Sequence, residues 1–493
     1  MNISFCARRH ARKYLLAGIS TLVLAAATPA AFAAGAGSLD KTFGADGNGD
    51  GTPDGVVSTS LGSGDDVANA VARAPGDKLV IVGSHFAKGS LDFVVARYDR
   101  DGTLDKSFGA DGNADGTPDG VVDVSLGEGD DVATAVAVQP DSKIVVAGYH
   151  QDGKSKNIFV ARFDKNGSLD KSFGADGNAD GAPDGVVNVS LGEGDDIARS
   201  VALEPDGKIV VAGDTVKGDS SNIVVERFNK NGTPDKSFGA DGGSDGTPDG
   251  FVSLDLGAGD DVANGMVIDG DGKIVVAGSH KEKGSDNIIV ARFDKDGKLD
   301  KSFGADGGSD GTPDGVVSES LGDGNEVARA VALDGKGRVV IAGTAVGKDG
   351  SSNFVLARFL HNGRLDTTFG ADGGNDGTPD GFVSLDLGKG DDAATSLGLQ
   401  PDGKIVVAGY HTDGGSKNIA VARYLASGQL DKSFGADGNN DGTPDGVFGI
   451  SLGAGDDVAS GLVIDGSKLI VVAGSTEDKD HSKNIVLLRL LAR

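Results

Sequence analysis

The sequence has no tryptophan, one cysteine and few aromatic residues, which make up 5% of its 493 residues. The cysteine, Cys6, lies among the first 33 residues, so disulfides do not hold the rest of the chain together. After residue 33, no apolar run approaches the ~20 residues that a membrane-spanning helix needs. The sequence therefore predicts neither a disulfide scaffold nor a membrane span, and any core must consist of Val, Ile, Leu, Ala and Phe.

The first 33 residues are typical of a secretory signal peptide. Residues 14–29 are largely apolar, and Ala31-Phe32-Ala33 is a small-x-small cleavage site. A basic segment precedes them: Arg8, Arg9, Arg12 and Lys13. We predict cleavage after Ala33 and export of residues 34–493 to the periplasm, cell surface or medium. A retained membrane anchor is the alternative, and Arg8-Arg9 is only a partial twin-arginine pattern, because His10 and Ala11 follow it.

The chain is strongly acidic, with 74 Asp and Glu against 46 Lys and Arg, a net charge of −28. Removing the four signal-peptide cations would change the net charge to −32. Such a surface repels nucleic acids and anionic membranes, so we expect neither as a partner. It is typical of an exported protein whose charge divalent cations neutralise.

A thirteen-residue segment, FGADGNADGTPDG, recurs seven times with small changes. Its first residue falls at Phe43, Phe108, Phe173, Phe238, Phe303, Phe369 and Phe434. The spacing is 65 residues, with one step of 66. A fixed period of this kind indicates a repeat architecture.

Each repeat contains four short segments that are typical of β-strands. They are rich in Val, Ile and Phe and are bounded by Gly, Asp, Asn and Pro. In the second copy they are Gly120–Leu126, Val132–Val138, Lys143–His150 and Asn157–Asp164. No segment has a helical period, so the sequence predicts an all-β protein.

Seven repeats of four antiparallel strands predict a seven-bladed β-propeller over residues 34–493, because a closed ring leaves few exposed sheet edges. The repeat is longer than the ~40–50 residues of known blades. Without the thirteen-residue segment it has about 52, which fits a blade. An open β-solenoid is the alternative, but its turns are shorter and lack four-strand meanders.

The ends of the repeat series suggest how the ring closes. Gly55–Leu61 begins the series after a short lead-in, and Asn484–Arg493 ends it with no equivalent strand after it. If the segment VATAVAV is innermost in each blade, Gly55–Leu61 becomes the outer strand of the last blade. In the alternative, the GVV segment is innermost and each blade is contiguous.

Three recurring motifs, DGKIVVAG, VARFDKNG and LDKSFG, resemble the delta-60 repeats of exported bacterial proteins over residues 37–493. The segment VALEPDGKIVVAG (201–213) is similar to the inner strands of NHL-type propellers, which favours VATAVAV as the inner strand. The segment DGNADGTPDGVV is similar to the calcium loops of integrin-type FG-GAP repeats. The usual delta-60 pattern lacks this acidic loop.

The acidic loop places oxygen ligands at the alternate positions of a calcium loop, numbered here as in an EF-hand. In the second copy, positions 1, 3, 5 and 9 are Asp111, Asn113, Asp115 and Asp119, Gly116 is position 6, and Thr117 offers its carbonyl at position 7. Position 12 is Val122, so the bidentate Glu of an EF-hand is missing. This favours an FG-GAP-like arrangement in which the carboxylate at position 9 completes the shell.

Four loops have all four side-chain ligands, and three have Gly at position 3. The complete sets are Asp46/Asn48/Asp50/Asp54, Asp111/Asn113/Asp115/Asp119, Asp176/Asn178/Asp180/Asp184 and Asp437/Asn439/Asp441/Asp445. The incomplete sets, around Gly243, Gly308 and Gly374, are Asp241/Asp245/Asp249, Asp306/Asp310/Asp314 and Asp372/Asp376/Asp380. We predict up to seven Ca²⁺ ions, because an irregular protein cage suits Ca²⁺ better than Mg²⁺. The alternative is a set of solvated Asp/Gly turns.

Three other features recur in the repeats. An acidic pair opens each VATAVAV strand: Asp65-Asp66, Asp130-Asp131, Asp195-Asp196, Asp260-Asp261, Asn325-Glu326, Asp391-Asp392 and Asp456-Asp457. An arginine occurs in every copy: Arg97, Arg162, Arg227, Arg292, Arg358, Arg423 and Arg489. His85, His150, His280 and His411 share one repeat position, which repeat inheritance explains better than a shared metal. The acidic pairs either form a cation site at the mouth of a channel or cap turn amides and pair with the arginines; we favour the structural role.

These features favour an exported calcium-binding propeller that acts as a binding, adhesion or structural module, is monomeric, and has a protein or glycan ligand. The alternative is a calcium-dependent hydrolase or lactonase with its site at the channel mouth. An enzyme site normally breaks repeat symmetry. Among the acidic pairs, only Asn325-Glu326 differs from the Asp-Asp of the other copies, and the change is conservative. No Ser/His/Asp set or phosphate loop stands out. We therefore expect a binding module rather than an enzyme.

Overall fold

The computed structural model describes residues 35–493 except 48, 88, 112–115, 177–182, 242–246, 307–311, 323, 348, 373–376, 439–442, 454 and 467. In this part of the chain there are 28 β-strands and no helix, and hence no helix that could cross a membrane. The predicted signal peptide lies outside the described residues. The all-β prediction is confirmed.

The strands of the first half, in chain order, are β1 (Val56–Thr59), β2 (Asp66–Ala74), β3 (Lys78–Ala87), β4 (Ser90–Tyr98), β5 (Val121–Val124), β6 (Asp131–Val138), β7 (Ile144–Asp152), β8 (Ser155–Phe163), β9 (Val186–Val189), β10 (Asp196–Leu203), β11 (Ile209–Lys217), β12 (Ser220–Phe228) and β13 (Phe251–Leu254). Those of the second half are β14 (Asp261–Ile268), β15 (Ile274–Glu282), β16 (Ser285–Phe293), β17 (Val316–Glu319), β18 (Glu326–Leu333), β19 (Val339–Val346), β20 (Ser352–Phe359), β21 (Phe382–Leu385), β22 (Asp392–Leu399), β23 (Ile405–Asp413), β24 (Ser416–Tyr424), β25 (Val447–Ile450), β26 (Asp457–Asp465), β27 (Leu469–Glu477) and β28 (Lys483–Leu491).

The strands form seven four-stranded antiparallel sheets, and the fold is a seven-bladed β-propeller. The first sheet has the order β2-β3-β4-β5, and the next five follow the same scheme. Each of these six sheets thus begins with a VATAVAV-type strand and ends with the GVV-type strand of the following repeat. That fourth strand is short, because the amide of Leu126 already belongs to the next turn and donates to Asp131 Oδ2 over 2.6 Å.

The chain divides into two compact units, one built from Leu39–Leu254 and Val471–Arg489. In this unit, β2 packs against β6 and β6 against β10. The hydroxyl of Thr134, at a bulge in β6, donates to the carbonyl of Ala198 in β10 over 2.6 Å. First strands of consecutive sheets therefore lie side by side, as the innermost strands of blades do.

The other unit contains Asp255–Ile470, residues 35–38 and Leu490–Arg493. Within it, β14, β18, β22 and β26 also pack side by side in that order. The hydroxyl of Thr395 in β22 donates to Ala459 O in β26 over 2.7 Å. The alternative with GVV innermost is therefore wrong in both units.

The last sheet has the order β1-β28-β27-β26. Val56 of β1 pairs with Leu488 of β28, and Thr59 pairs with Ile485. The predicted closure, in which Gly55–Leu61 supplies the outer strand of the last blade, is confirmed.

The core consists of small clusters between consecutive sheets. Between the first two sheets, Val82 and Phe93 pack with Val146 and Phe159, and all four side chains are buried. The rings of Phe93 and Phe159 stack with their centroids 4.7 Å apart. Aliphatic side chains with an occasional Phe fill these spaces, which explains how the protein folds without tryptophan.

Candidate functional site

Six of the acidic loops connect the third and fourth strands of a sheet, and the first loop leads into β1, the fourth strand of the last sheet. In the second loop, the amide of Asp119 donates to Ala110 O over 2.8 Å, and the amide of Gly120 donates to Phe108 O over 2.9 Å. The first of these hydrogen bonds recurs in all seven loops at 2.8–2.9 Å. Gly109 has a φ of +87°, and a Cβ there would lie 2.2 Å from Val121 O, so the loop base requires glycine after Phe. The backbone that carries positions 1 and 9 is therefore held by the same hydrogen bond in all seven loops.

The first loop is described except for Asn48 and shows how the chain folds around position 1. Asp46 Oδ1 accepts the amide of Asp50 over 3.1 Å, and Asp46 Oδ2 accepts that of Gly51 over 2.8 Å. Across the base, Asp54 Oδ2 accepts the amide of Gly47 over 2.8 Å. The amides of positions 5 and 6 therefore point at the first carboxylate, as they do when a short loop wraps an oxygen-ligand site.

Parts of this arrangement recur in other loops. Asp111 Oδ2 accepts the amide of Gly116 over 2.8 Å, and Asp372 Oδ2 accepts that of Gly377 over 2.9 Å. In the last loop, Asp445 Oδ2 accepts the amide of Gly438 over 2.8 Å. Complete and incomplete loops thus share the same local bonding at position 1.

Most predicted ligands at positions 3 and 5 lie outside the described residues: Asn48, Asn113, Asp115, Asn178, Asp180, Asp245, Asp310, Asp376, Asn439 and Asp441. The other predicted ligands are described: Asp46, Asp50, Asp54, Asp111, Asp119, Asp176, Asp184, Asp241, Asp249, Asp306, Asp314, Asp372, Asp380, Asp437 and Asp445. In the described part of the chain, no group of three or more His, Cys, Asp or Glu side chains could hold a metal ion. In the first loop, Asp50 Oδ1 instead accepts the hydroxyl of Thr52 over 2.6 Å.

The position-9 carboxylates have lysine neighbours. Lys41 Nζ lies 3.6 Å from Asp54 Oδ1, and Lys301 Nζ lies 3.6 Å from Asp314 Oδ1. The Lys41 side chain is 55% exposed, so such a pair contributes roughly 0–1 kcal/mol. These lysines lower the local negative charge without fixing the carboxylates strongly.

The Arg and the Phe that recur in every repeat form stacked pairs beside the acidic loops. Arg97 Cζ lies 4.4 Å from the ring centroid of Phe108, and its Nε donates to Asp105 Oδ2 over 2.5 Å. Nη1 reaches the next repeat and donates to Lys165 O over 2.5 Å. Both Arg97 and Phe108 are buried. The arginines therefore pair with the Asp of the LDKSF segment, and the prediction that they pair with the acidic pairs is wrong.

Asp105 is an ionised anchor for this arrangement. Burial alone would raise the pKa of its carboxyl, but hydrogen bonds from Lys78, Ser107 and Arg97 outweigh burial and hold that pKa well below its usual range. Asp170, Asp235 and Asp300 have the same environment and the same direction of shift.

The acidic pairs are structural in the described residues. Asp130 Oδ1 accepts the amide of Leu91, in the preceding sheet, over 2.9 Å. Asp131 is fully buried, and its Oδ1 lies 2.5 Å from His150 Nδ1. Burial raises the pKa of Asp131, although the Leu126 amide and His150 partly offset it. The prediction that these residues cap turn amides is confirmed, whereas buried second members do not form an open cation site.

The four histidines make the same contact in their own sheets. The Nδ1 atoms of His85, His280 and His411 each lie 2.5 Å from the buried second acid: Asp66, Asp261 and Asp392, respectively. In the third sheet Thr215 takes the place of histidine and donates to Asp196 over 2.5 Å. The histidines thus orient a buried carboxylate, which agrees with their inheritance within the repeat.

One residue that the sequence analysis missed does break the repeat symmetry. Glu226 is 3% exposed and stands in VVERF, where the preceding copy reads FVARF. The sequence does carry this signal, because the other copies have Ala or Leu at the same repeat position.

Six segments match a family model described as a domain of unknown function (DUF5122) beta-propeller, at residues 77–108, 139–173, 204–238, 270–303, 337–369 and 400–434. Each match ends at the Phe that opens an acidic loop, so the loops themselves are not part of it. No curated protein matches the sequence.

Three solved structures with low sequence identity resemble the chain. A protein of unknown function from Dyadobacter fermentans is 11% identical, with a TM-score of 0.39, covering 89% of this chain and 98% of its own. Polysaccharide lyase Uly1 is 10% identical, with a TM-score of 0.45 and coverages of 86% and 90%. Drosophila Semaphorin 2a is 12% identical, with a TM-score of 0.44 and coverages of 89% and 75%. Similarity at this level carries no argument about function.

The six family-model matches and the seven sheets agree on a repeat β-propeller.

Proposed function

We propose that this protein is an exported, calcium-binding β-propeller that serves as a binding, adhesion or structural module. The main support is the bonding of position 1 in the first loop. Both oxygens of Asp46 accept loop amides, from Asp50 and Gly51, so the loop curves around a carboxylate. A loop of this kind presents hard oxygen ligands, which Ca²⁺ prefers.

The position of the loops suggests what bound calcium would do. Six loops join the third strand of a sheet to its fourth, and the first loop leads into β1 of the last sheet. Each fourth strand has only four residues. In the first sheet, β5 pairs with β4 through Val121–Val124 alone. An ion that ordered the loop would hold this short edge strand in place and neutralise part of the acidic surface.

A binding or structural role has more support than the hydrolase alternative. That alternative requires carboxylates that are free to hold a catalytic ion at the channel mouth. Asp131 and Asp392 are instead buried and bonded to His150 and His411. The ligand would be a protein or glycan, and we propose no enzymatic activity.

Thermal unfolding in millimolar Ca²⁺ and in excess chelator tests the proposal. Each occupied native site adds about 2.7 kcal/mol to the free energy of unfolding at a hundredfold excess over Kd. Residues 34–493 should therefore melt at a clearly higher temperature with Ca²⁺ than with chelator, and Mg²⁺ should have a smaller effect. Identical melting curves would refute calcium binding.

The stoichiometry and the partner need separate measurements. Titration calorimetry should detect at least four ions, one for each complete loop. A glycan-array or pull-down experiment with and without chelator then tests the binding role. Calcium-dependent capture of a defined glycan or protein supports a binding module, whereas calcium-dependent stability without capture supports a purely structural one.

A further inference from the structure

The third sheet has a buried carboxyl group at a strand position that is apolar in the other six sheets. Glu226 lies in β12 and is 3% exposed. The same repeat position holds Ala96, Ala161, Ala291, Ala357, Ala422 and Leu488 in the other copies. An acid is unexpected at a position that is otherwise apolar, because burying a carboxylate without hydrogen bonds or an opposite charge is costly.

The strand register places this carboxyl between the second and third sheets. Glu226 pairs with Val211 of β11 and with Phe251 of β13, so these side chains share one face. Val211 and Val224 of that face belong to a buried cluster with Val145 and Val160 of the second sheet. Glu226 thus lies on the face of β12 that packs against the second sheet.

The carboxyl lacks the donors that stabilise an ionised acid. In the described residues, Glu226 Oε2 has no hydrogen-bond partner. By contrast, Asp196 on the same face accepts the hydroxyl of Thr215 and the amide of Leu191. Of these two buried acids, Asp196 is therefore the one equipped to carry a negative charge, and Glu226 is the one that should keep its proton.

The charged and titratable groups around Glu226 reinforce this assignment. Asp196 of β10 shares its face, and Tyr149 of β7, with Lys156 of β8 over its ring, lies on the facing side of the second sheet. Asp214 of β11 and Arg227 of β12 project to the opposite face, and β13 adds no charge. Burial, and then the charge of Asp196, raise the pKa of Glu226 to about 8. On this face of the third sheet, Lys217 lies at the exposed end of β11, where it pairs with Ser220 and not with Glu226. Arg199, at the bulge of β10, donates to Asp214.

We propose that Glu226 makes the packing of the third sheet on the second depend on a proton. The protonated carboxyl group is neutral, so it packs among valines without the free-energy cost of burying a charge. After ionisation, the sheets must admit water or separate locally to hydrate it. The folded protein retains this proton at pH values where the unfolded chain has lost it, so stability falls as pH rises from about 4.5 to about 8.

Unfolding of the exported chain at several pH values between 6 and 9, in chelator, tests this inference. Glu226→Ala introduces the residue that five of the sister copies have, and Glu226→Gln keeps the shape without the charge. Glu128→Gln, at an exposed acid, is the matched control. The melting temperature of the wild type and of Glu128→Gln should fall over this range by roughly 2 °C or more beyond that of both Glu226 variants. Parallel pH profiles for all four proteins would overturn the inference.

A second measurement does not depend on the variants being equally stable. Infrared spectra of the folded wild type should show a buried protonated carboxylic acid at pH 6.5 that disappears by pH 9. Hydrogen exchange, corrected for intrinsic rates, should increase over the same interval in β8 and β12 more than in β16 and β20. A wild-type spectrum with no protonated carboxyl at pH 6.5 would also overturn the inference.

Discussion

Arg97 lies over Phe108 with its Cζ atom 4.4 Å from the ring centroid, and six further Arg–Phe pairs repeat this contact at 4.4–4.6 Å. The guanidinium simultaneously donates to Asp105 and to Lys165 O of the next repeat. One side chain thus joins the end of its own strand, the base of the acidic loop and the neighbouring turn. The loops are therefore attached to a rigid framework whether or not they hold an ion.

Replacing Arg97 with Met should destabilise the protein strongly. The change leaves buried Asp105 with only Lys78 as a cation partner and removes the donor to Lys165 O. Breaking a buried ion pair from one side costs roughly 3 kcal/mol. The control Arg100→Met removes a 68% exposed side chain and should cost less than about 1 kcal/mol. Urea unfolding of both variants measures the difference, and equal losses would show that the stacked pair contributes little.

Asp105 should make stability sensitive to acid only at low pH. Its folded pKa lies below its unfolded value, so its contribution is fully present above about pH 4 and is lost as pH falls through the folded pKa. Asp105→Asn should therefore lower the free energy of unfolding by a constant amount between pH 5 and 7. The gap between wild type and variant should narrow below pH 4. A gap that widens with acid would mean that the ion pair is misassigned.

Much of the fold was predictable because the repeat fixes it. The period gives seven sheets, and alternating Val and Ile segments give four strands in each. The position of Gly55–Leu61 before the first complete unit predicts its pairing with the last strand, as Val56 and Leu488 show. One detail was not predictable: the lead-in contains Asp40, which accepts Arg489 Nε over 2.8 Å and so replaces the missing downstream Asp of the last repeat.

The site was less predictable, because each repeat carries many similar carboxylates. The sequence alone does not distinguish the roles of Asp105, Asp119 and Asp131. In the structure, Asp105 accepts a hydrogen bond from Arg97, the amide of Asp119 closes an acidic loop, and Asp131 is buried beside His150. Burial and partner choice depend on how consecutive sheets pack, which spacing alone does not determine. Glu226 differs from the other copies in the sequence, but its effect depends on facing the second sheet.

The complete and incomplete loops should differ in calcium affinity. Asp111 and Asp372 accept the position-6 amide with nearly the same geometry, at 2.8 and 2.9 Å, so removing either should cost similar stability in chelator. The second loop also has Asn113, where the sixth has Gly374. Asp111→Ala should therefore lose more calcium-dependent stability than Asp372→Ala, and calorimetry should show loss of a tighter site. The reverse order would mean that position 3 does not supply a ligand.

Deleting residues 34–62 should convert the protein into an aggregating or poorly cooperative species. The deletion removes β1, and the backbone of β28 that paired with Val56–Thr59 becomes an open edge able to pair with other chains. It also removes Asp40, the buried partner of Arg489.

Deleting only residues 34–40 should still destabilise the protein through loss of Asp40, but should leave it monomeric because β1 remains. A synthetic peptide of residues 34–62, added to the longer deletion, should restore a monomer by strand addition, whereas a scrambled peptide should not. Light scattering and thermal unfolding would measure both effects. A long-deletion variant that is monomeric and cooperative without the peptide would show that β1 is dispensable for closing the last sheet.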